Sequence, residues 1–311
     1  MRPRIGFAVP ISSLGLLAAL ALAGCGGGGS NDHSSATVAK LSEDQEALLK
    51  RVVVTDKDFD HGNFSHAARI DNRWFPLAPG TQFLYRGHAN RGGGPTPHEV
   101  IFTVTDLTKV VDGVRTLVLW DRDLNAGHLA EGELTFHAQD DDGNVWNFGE
   151  YPEEWHKGRF EGAPDSWLAG SDGARAGIVM RAEPRRGTPT YRQGWAPRID
   201  FSDVAKILRT GQRTCVPVQC YGSVLVTEEW NAVERGAHQL KYYAPGVGNI
   251  RVGADAADKE GEVLVLEKVV HLSPAALAKA RTEALTLDRR ARTARKDLFG
   301  ELPPAQPLIE G

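Results

Sequence analysis

The sequence predicts a mainly β protein, an antiparallel barrel or half-barrel with a short N-terminal helix and a C-terminal helix. Three observations predict it. Segments rich in β-branched and aromatic residues recur from Thr81 to Leu272, separated by Gly, Asp, Asn and Pro turns. They follow one another without helical periodicity between them, which favours antiparallel pairing over a βαβ arrangement. The hairpin around Asp140, Asp141, Asp142, Gly143 and Asn144 carries apolar residues on both faces. A sheet closed around a lumen needs that pattern, and a sheet open to water on one side does not.

The elements follow in order. Met1-Arg2-Pro3-Arg4 opens an apolar run that closes at Leu22-Ala23-Gly24-Cys25, the form of a bacterial lipobox. Residues 1–24 are therefore expected to be a lipoprotein signal peptide, with Cys25 the site of lipid attachment. Gly6, Pro10, Ser12, Ser13 and Gly15 interrupt the run, and Gly26 follows it where a stop-transfer segment would have basic residues, so it reads as an export signal and not as a spanning helix. The expected location is the bacterial cell envelope, lipid-anchored on the outer side of the cytoplasmic membrane or in the outer membrane. Residues 25–37, in which four glycines follow Cys25, are expected to form a flexible tether.

The β domain is expected over 38–272. It opens with a capping box, Ser42-Glu43-Asp44-Gln45, and a short helix to Lys50 or Arg51. Strands are expected over 81–87, 99–105, 114–120, 133–139, 145–148, 224–230, 238–243 and 263–272. Ser273-Pro274 then supplies an N-cap and a first-turn proline for a basic C-terminal helix over 273–299. Its apolar stripe is Leu277, Ala280, Ala284, Leu287, Ala291, Ala294 and Leu298. Arg281, Arg289, Arg290, Arg292, Arg295 and Lys296 give it a solvated basic face, which on a tethered protein also suits anionic headgroups. Residues 300–311 read as a disordered tail.

Composition narrows the function classes. A formal net charge of -4 argues against nucleic acid as a partner. The glycine run after Cys25 has no preceding strand and no helix-plus-acid pattern after it, and no Gly-x-Ser-x-Gly elbow, phosphate loop or His-Glu-x-x-His helix occurs, so no cofactor is expected. Cys215 and Cys220 lie between strand-like segments of an exported chain and read as a disulfide. Without a second ligand pair they do not complete a zinc site. Asp140, Asp142 and Gly143 match the middle of a calcium loop, but its first and twelfth positions would be Ala138 and Gly149, and the bidentate carboxylate is missing. His61 and His66 read as surface histidines.

A turn of two or four residues would place Glu133, Thr135, His137 and Gln139 on one face with Trp146, Phe148 and Glu150. The expected ligand-binding set is His137, Trp146, Phe148 and Glu150, with Trp230 and Tyr242 as neighbours. The favoured function is binding or carriage of an apolar or amphipathic small molecule without catalysis. Core packing is nevertheless the first reading of the tryptophans. The alternatives are a hydrolase of envelope or extracellular glycans using Glu133 with Glu150, or Glu154 with Glu229, and a structural or protein-interaction lipoprotein.

Four segments carry a resemblance. They are Phe75-Pro76-Leu77-Ala78-Pro79-Gly80-Thr81-Gln82-Phe83-Leu84-Tyr85, Asp141-Asp142-Gly143-Asn144-Val145-Trp146-Asn147-Phe148-Gly149-Glu150, Tyr221-Gly222-Ser223-Val224-Leu225-Val226-Thr227-Glu228-Glu229-Trp230 and Lys241-Tyr242-Tyr243-Ala244-Pro245-Gly246-Val247-Gly248. Together they resemble a family of uncharacterised bacterial secreted proteins and lipoproteins, and more distantly TapB-like secreted modules. The resemblance runs from about Phe59 to Leu272 and implies neither a substrate nor catalytic residues. Where relatives have a plain Val-Pro-Tyr-Gly turn, this chain places Val-Pro-Val-Gln between two cysteines, which supports a local disulfide.

Overall fold

The computed structural model describes residues 59–90, 94–232, 238–254 and 261–308. The signal segment, Cys25, the tether and the expected helix over 42–51 lie outside the described residues. Fifteen strands occur among those described: β1 (Thr81–Asn90), β2 (Pro95–Val111), β3 (Val114–Asn125), β4 (His128–Gln139), β5 (Val145–His156), β6 (Arg159–Gly162), β7 (Trp167–Leu168), β8 (Arg175–Met180), β9 (Tyr191–Ala196), β10 (Phe201–Cys215), β11 (Cys220–Asn231), β12 (Gln239–Ala244), β13 (Gly248–Ala254), β14 (Val263–His271) and β15 (Gln306–Pro307). Twelve of them form a closed antiparallel barrel in the order β1-β14-β13-β12-β11-β10-β9-β8-β5-β4-β3-β2, closed by β2 pairing with β1. β6 and β7 add to β5, and β15 adds to β2.

Local sequence explains the tight hairpins. Asp112-Gly113, Ala126-Gly127 and Lys157-Gly158 each place two successive residues at positive φ between strands. Such two-residue turns match the right-handed strand twist, and glycine at the second position avoids most of the strain. The β10–β11 hairpin ends with Cys215 opposite Cys220, joined as a disulfide.

Residues 59–80 cross one mouth of the barrel. Gln139 N donates to Ala67 O at 2.8 Å, and Gly246 N donates to Arg73 O at 2.7 Å, so the segment runs from the β4–β5 turn to the β12–β13 turn. The aspartates that resemble part of a calcium loop anchor it. Asp141 accepts from Ser65 N at 3.0 Å and Ser65 Oγ at 2.7 Å, and Asp142 accepts from Asn63 Nδ2 at 3.0 Å.

Helix α1 (Pro274–Ala294) begins as its sequence predicts, with Ser273 Oγ accepting from Ala276 N. It buries Ala280, Ala284, Leu287 and Ala291 against the barrel wall, while Ala294 of the expected stripe is exposed. A short helix α2 (Lys296–Phe299) follows, and Phe299 packs on Tyr151 and Phe136 with ring centroids 5.4 and 6.1 Å away. The basic residues of this region do more than face solvent. Arg281 pairs with Asp106, Arg290 grips both oxygens of Glu153 at 2.6 and 2.7 Å, and Arg295 donates to the carbonyl of Ala163 at 2.9 Å. These arginines clamp the helix to the barrel and are lost to any headgroup-binding face. The expected disorder of the tail is also corrected for its described residues, 300–308. Gln306 and Pro307 pair with β2, and Leu308 N donates to Asp106 O at 2.8 Å.

Candidate functional site

Helix α2 identifies the outer face of the wall formed by β3, β4 and β5, because it covers Phe136 and Tyr151. Strand alternation then turns Glu133, Thr135 and His137 to the inner face. Residues on that face meet partners beyond the neighbouring strand. Tyr85 of β1 donates its hydroxyl to Asn249 O of β13 at 2.8 Å, and His98 of β2 reaches Glu262, just before β14, at 2.9 Å.

The expected ligand-binding set does not share one face. Gln139 pairs with Val145, so the β4–β5 turn holds five residues, and an odd number reverses the face of every residue that follows. Trp146 therefore lies opposite Ala138 and faces outward. Its Nε1 donates to Asp140 Oδ2 at 2.7 Å, and Phe59 packs on it at 5.3 Å. Phe148 is likewise outward, against Phe64 at 5.6 Å. The pairs Thr135–Glu150 and His137–Asn147 then leave one residue of β4 opposite two of β5. This bulge, with Gly149 at φ 148°, returns Glu150 to the inner face. A Cβ at Gly149 would stand 2.5 Å from Trp167 O, so only glycine fits there.

Trp230 and Tyr242 are outward as well. Trp230 pairs with Val204 and stacks on His238 at 5.0 Å, and Tyr242 carries Arg251 over its ring at 5.2 Å. Of the expected set, the lumen receives His137 and Glu150. It also receives residues that the spacing argument did not single out: Tyr85, Tyr191, Tyr243 and Lys241. Alternation along Lys241-Tyr242-Tyr243 would have exposed this, had a buried lysine been accepted beside Tyr243.

The lumen changes character along its length. At the mouth crossed by residues 59–80, a narrow recess with room for about one water is lined by Phe75, Leu77, Phe83, Tyr85, Phe102 and Asn249, among others. Further in, Glu229 accepts from Thr227 Oγ1 at 2.7 Å and from the Tyr243 hydroxyl at 3.1 Å, and pairs with Lys241 at 2.9 Å. Both carboxylate oxygens of Glu229, one of the acids considered for the alternative hydrolase, are thus engaged by the wall. Glu150 accepts from Asn147 Nδ2 at 2.7 Å. Toward the opposite mouth the wall is acidic, with Asp121 opposite Glu133 and Asp123 opposite Glu131.

Two histidines mark the two zones. His137 is fully buried beside Phe75, and burial pushes its pKa down to about 3, so the ring is neutral. At His98, burial is the largest effect and lowers the pKa. The hydrogen bond to Glu262 and the charges of Asp123 and Glu262 oppose it and raise the pKa above the ordinary histidine value. Among the described residues, no group of three or more His, Cys, Asp or Glu side chains is arranged to hold a metal ion. Several buried lumen atoms have no hydrogen-bond partner: Thr135 Oγ1, both His137 ring nitrogens and the Tyr191 hydroxyl.

No family model matches the chain, and no curated protein matches it. Two solved structures are similar to it. One is a protein from Bacteroides fragilis described as exported with a YmcC-like fold, 14% identical, with a TM-score of 0.34 over 64% of this chain and 99% of that one. The other is a protein from Parabacteroides distasonis described as a lipoprotein, 11% identical, with a TM-score of 0.30 over 64% of this chain and 100% of that one.

Proposed function

We propose that this chain is a lipid-anchored envelope protein whose barrel holds an apolar or amphipathic small molecule without transforming it. The observation that carries this reading is the pairing of two lumen features. An aromatic-lined recess stands at one end, and buried Thr135, His137 and Tyr191 present polar atoms to the lumen with no partner in the protein. A buried polar atom left without a partner destabilises a fold by about 1–3 kcal/mol. A ligand that brings apolar surface to the recess and hydrogen-bonding groups to the wall offsets that cost. The anchor rests on the Leu22-Ala23-Gly24-Cys25 lipobox and the glycine tether behind it.

The reading is tested on the full chain purified from membranes. Denaturing extraction and mass spectrometry should recover one small molecule in near-equimolar amount, and Thr135→Val should lower its retention while leaving the fold intact. A chain that carries no such molecule, and whose Thr135→Val form behaves as wild type, returns the barrel to a structural role. Cys25→Ser should move the protein to the soluble fraction; unchanged fractionation removes the anchor.

A further inference from the structure

The mouth crossed by residues 59–80 is divided by charge. On the half built on the β4–β5 turn, Asp141 and Asp142 are held by Ser65 and Asn63 of the crossing segment, and Asp71 meets Arg69 at 3.3 Å. The other half is formed by the β8–β9 loop, the β10–β11 hairpin and the β12–β13 turn, whose strands are neighbours around the barrel. It exposes Arg73, Arg186, Arg209 and Arg213. None of these four makes an ion pair among the described residues, whereas Arg281, Arg290 and Arg295 beside the helix all meet partners on the barrel. Acids on this half are few. Glu183 pairs with Arg185, and no Asp or Glu occurs from Val204 to Thr227.

The β10–β11 hairpin projects from this half of the rim. β9 pairs with β10 no further than Ala205, and β12 first meets β11 at Leu225, so beyond those residues the two strands pair only with each other. The Cys215–Cys220 bond closes the tip, where Pro217 and Val218 are exposed. Half-buried Trp74, with the Arg73 guanidinium 5.2 Å from its ring centre, adds an aromatic group to the same rim. Arginines around an apolar tip and a tryptophan suit a surface that rests on anionic headgroups. The chain arriving from Cys25 enters at this mouth, since Phe59 packs on Trp146 beside the β4–β5 turn at 5.3 Å.

We infer that the arginine-bearing half of this mouth docks on the anionic phospholipid surface of the bilayer that holds the chain's own lipid, with Arg73, Arg186, Arg209 and Arg213 at the phosphates and Val218 at the headgroup boundary. The inference rests on the anchor proposed above and adds the orientation of the barrel on the membrane. Guanidinium groups pair with phosphate oxygens in a fixed fork geometry. Their attraction to a charged surface fades within a Debye length, so an anchor that keeps the mouth close to the bilayer is what makes four exposed arginines effective.

The test uses the lipid-anchored protein purified from membranes and placed on vesicles of phosphatidylcholine alone, or of equal parts phosphatidylcholine and phosphatidylglycerol. Amide hydrogen exchange is followed by mass spectrometry. On the anionic vesicles, exchange at the tip between Arg209 and Cys220 should slow about fivefold or more relative to phosphatidylcholine, and high salt should remove the difference. Arg209→Gln with Arg213→Gln, both on exposed positions, should abolish the protection without lowering the thermal midpoint. The turn at Lys157-Gly158, at the opposite mouth, should exchange alike on both vesicles. Equal exchange of the hairpin tip on the two vesicles, or protection that the double variant retains, overturns the membrane assignment and leaves the arginines to an acidic protein partner. Protection of the Lys157-Gly158 turn in its place overturns the orientation. Release of the protein from both kinds of vesicle overturns the anchor, and this docking with it.

Discussion

On the outer face of the wall formed by β3, β4 and β5, Glu153 is gripped by Arg290 of the helix. Beside it, on the outer face of β2, buried Lys109 meets Asp288 at 2.7 Å. On the inner face of the same strands, Asp121 faces Glu133 and Asp123 faces Glu131. The residue types match, but the neighbours differ. Outside, opposite charges meet across a packed helix and hold it in place; inside, strand register sets acids side by side on β3 and β4, while Glu229 meets Lys241 and Asp123 meets His98 elsewhere on the lumen wall. The contrast teaches that a charge's role in this fold follows from the neighbours that register and packing bring to it.

The largest expected effect breaks the outer side of the comparison. Asp288→Ala would leave the Lys109 ammonium, wholly buried, with only the Pro303 carbonyl as a hydrogen-bond acceptor. Removing one partner of a buried ion pair typically costs about 3–5 kcal/mol, which urea unfolding of the full chain should report. Replacing both residues together, Lys109→Met with Asp288→Leu, should recover most of that loss. A single-variant loss below about 1 kcal/mol would mean that the pair does not hold the helix.

Trp146 tests the faces directly. As an outward core residue under Phe59 and Phe64, its change to Ala should cost about 3–5 kcal/mol of stability. Ligand retention per folded molecule should stay unchanged. The reverse result, intact stability with lost ligand, would return Trp146 to the binding set.

The two histidines sharpen the comparison within the lumen. The His137 pKa is depressed to about 3 in the folded chain, so between about pH 6.5 and 3 the unfolded state takes up a proton that the folded state refuses. Acidification across that window should lower stability by up to about 1.4 kcal/mol per pH unit, and His137→Phe should flatten the slope. His98 has the opposite sign. Its folded pKa is raised, so its contribution is fully present below the unfolded value and is lost as pH rises through the folded value. His98→Asn should remove that alkaline loss. Equal pH profiles for the two variants would put the histidines in like environments.

The smallest effect is on the inner wall. Glu133→Gln relieves the contact with Asp121 but also alters what Glu133 itself engages in the wall, so the net change in stability should stay within about 1 kcal/mol. A loss greater than that range would show that Glu133 is a structural acid like Glu153.

Much of the architecture was legible because it is written locally. Period-two patterning marks the long strands β1 to β5, β11, β12 and β14, Ser273-Pro274 marks the helix start, and the cysteine spacing marks the bridge. β8, β9, β10 and β13 escaped because glycine and charge dilute their pattern. Gly177, for instance, is required by close strand approach, since a Cβ there would lie 2.4 Å from Gln193 C.

The sequence by itself determined an antiparallel barrel or half-barrel, the disulfide, the capped helix and an acid-bearing strand from Glu133 to Gln139. Tertiary structure alone decided which side chains line the lumen. A five-residue turn and the bulge at Gly149 change strand parity twice within a few residues, sending Trp146 and Phe148 outward and Glu150 inward. Parity depends on one residue more or less in a turn, which composition and spacing do not record. The fate of the helix arginines was decided in the same way. Arg281, Arg290 and Arg295 read as a basic surface until Asp106, Glu153 and the Ala163 carbonyl, remote in sequence, were folded against them.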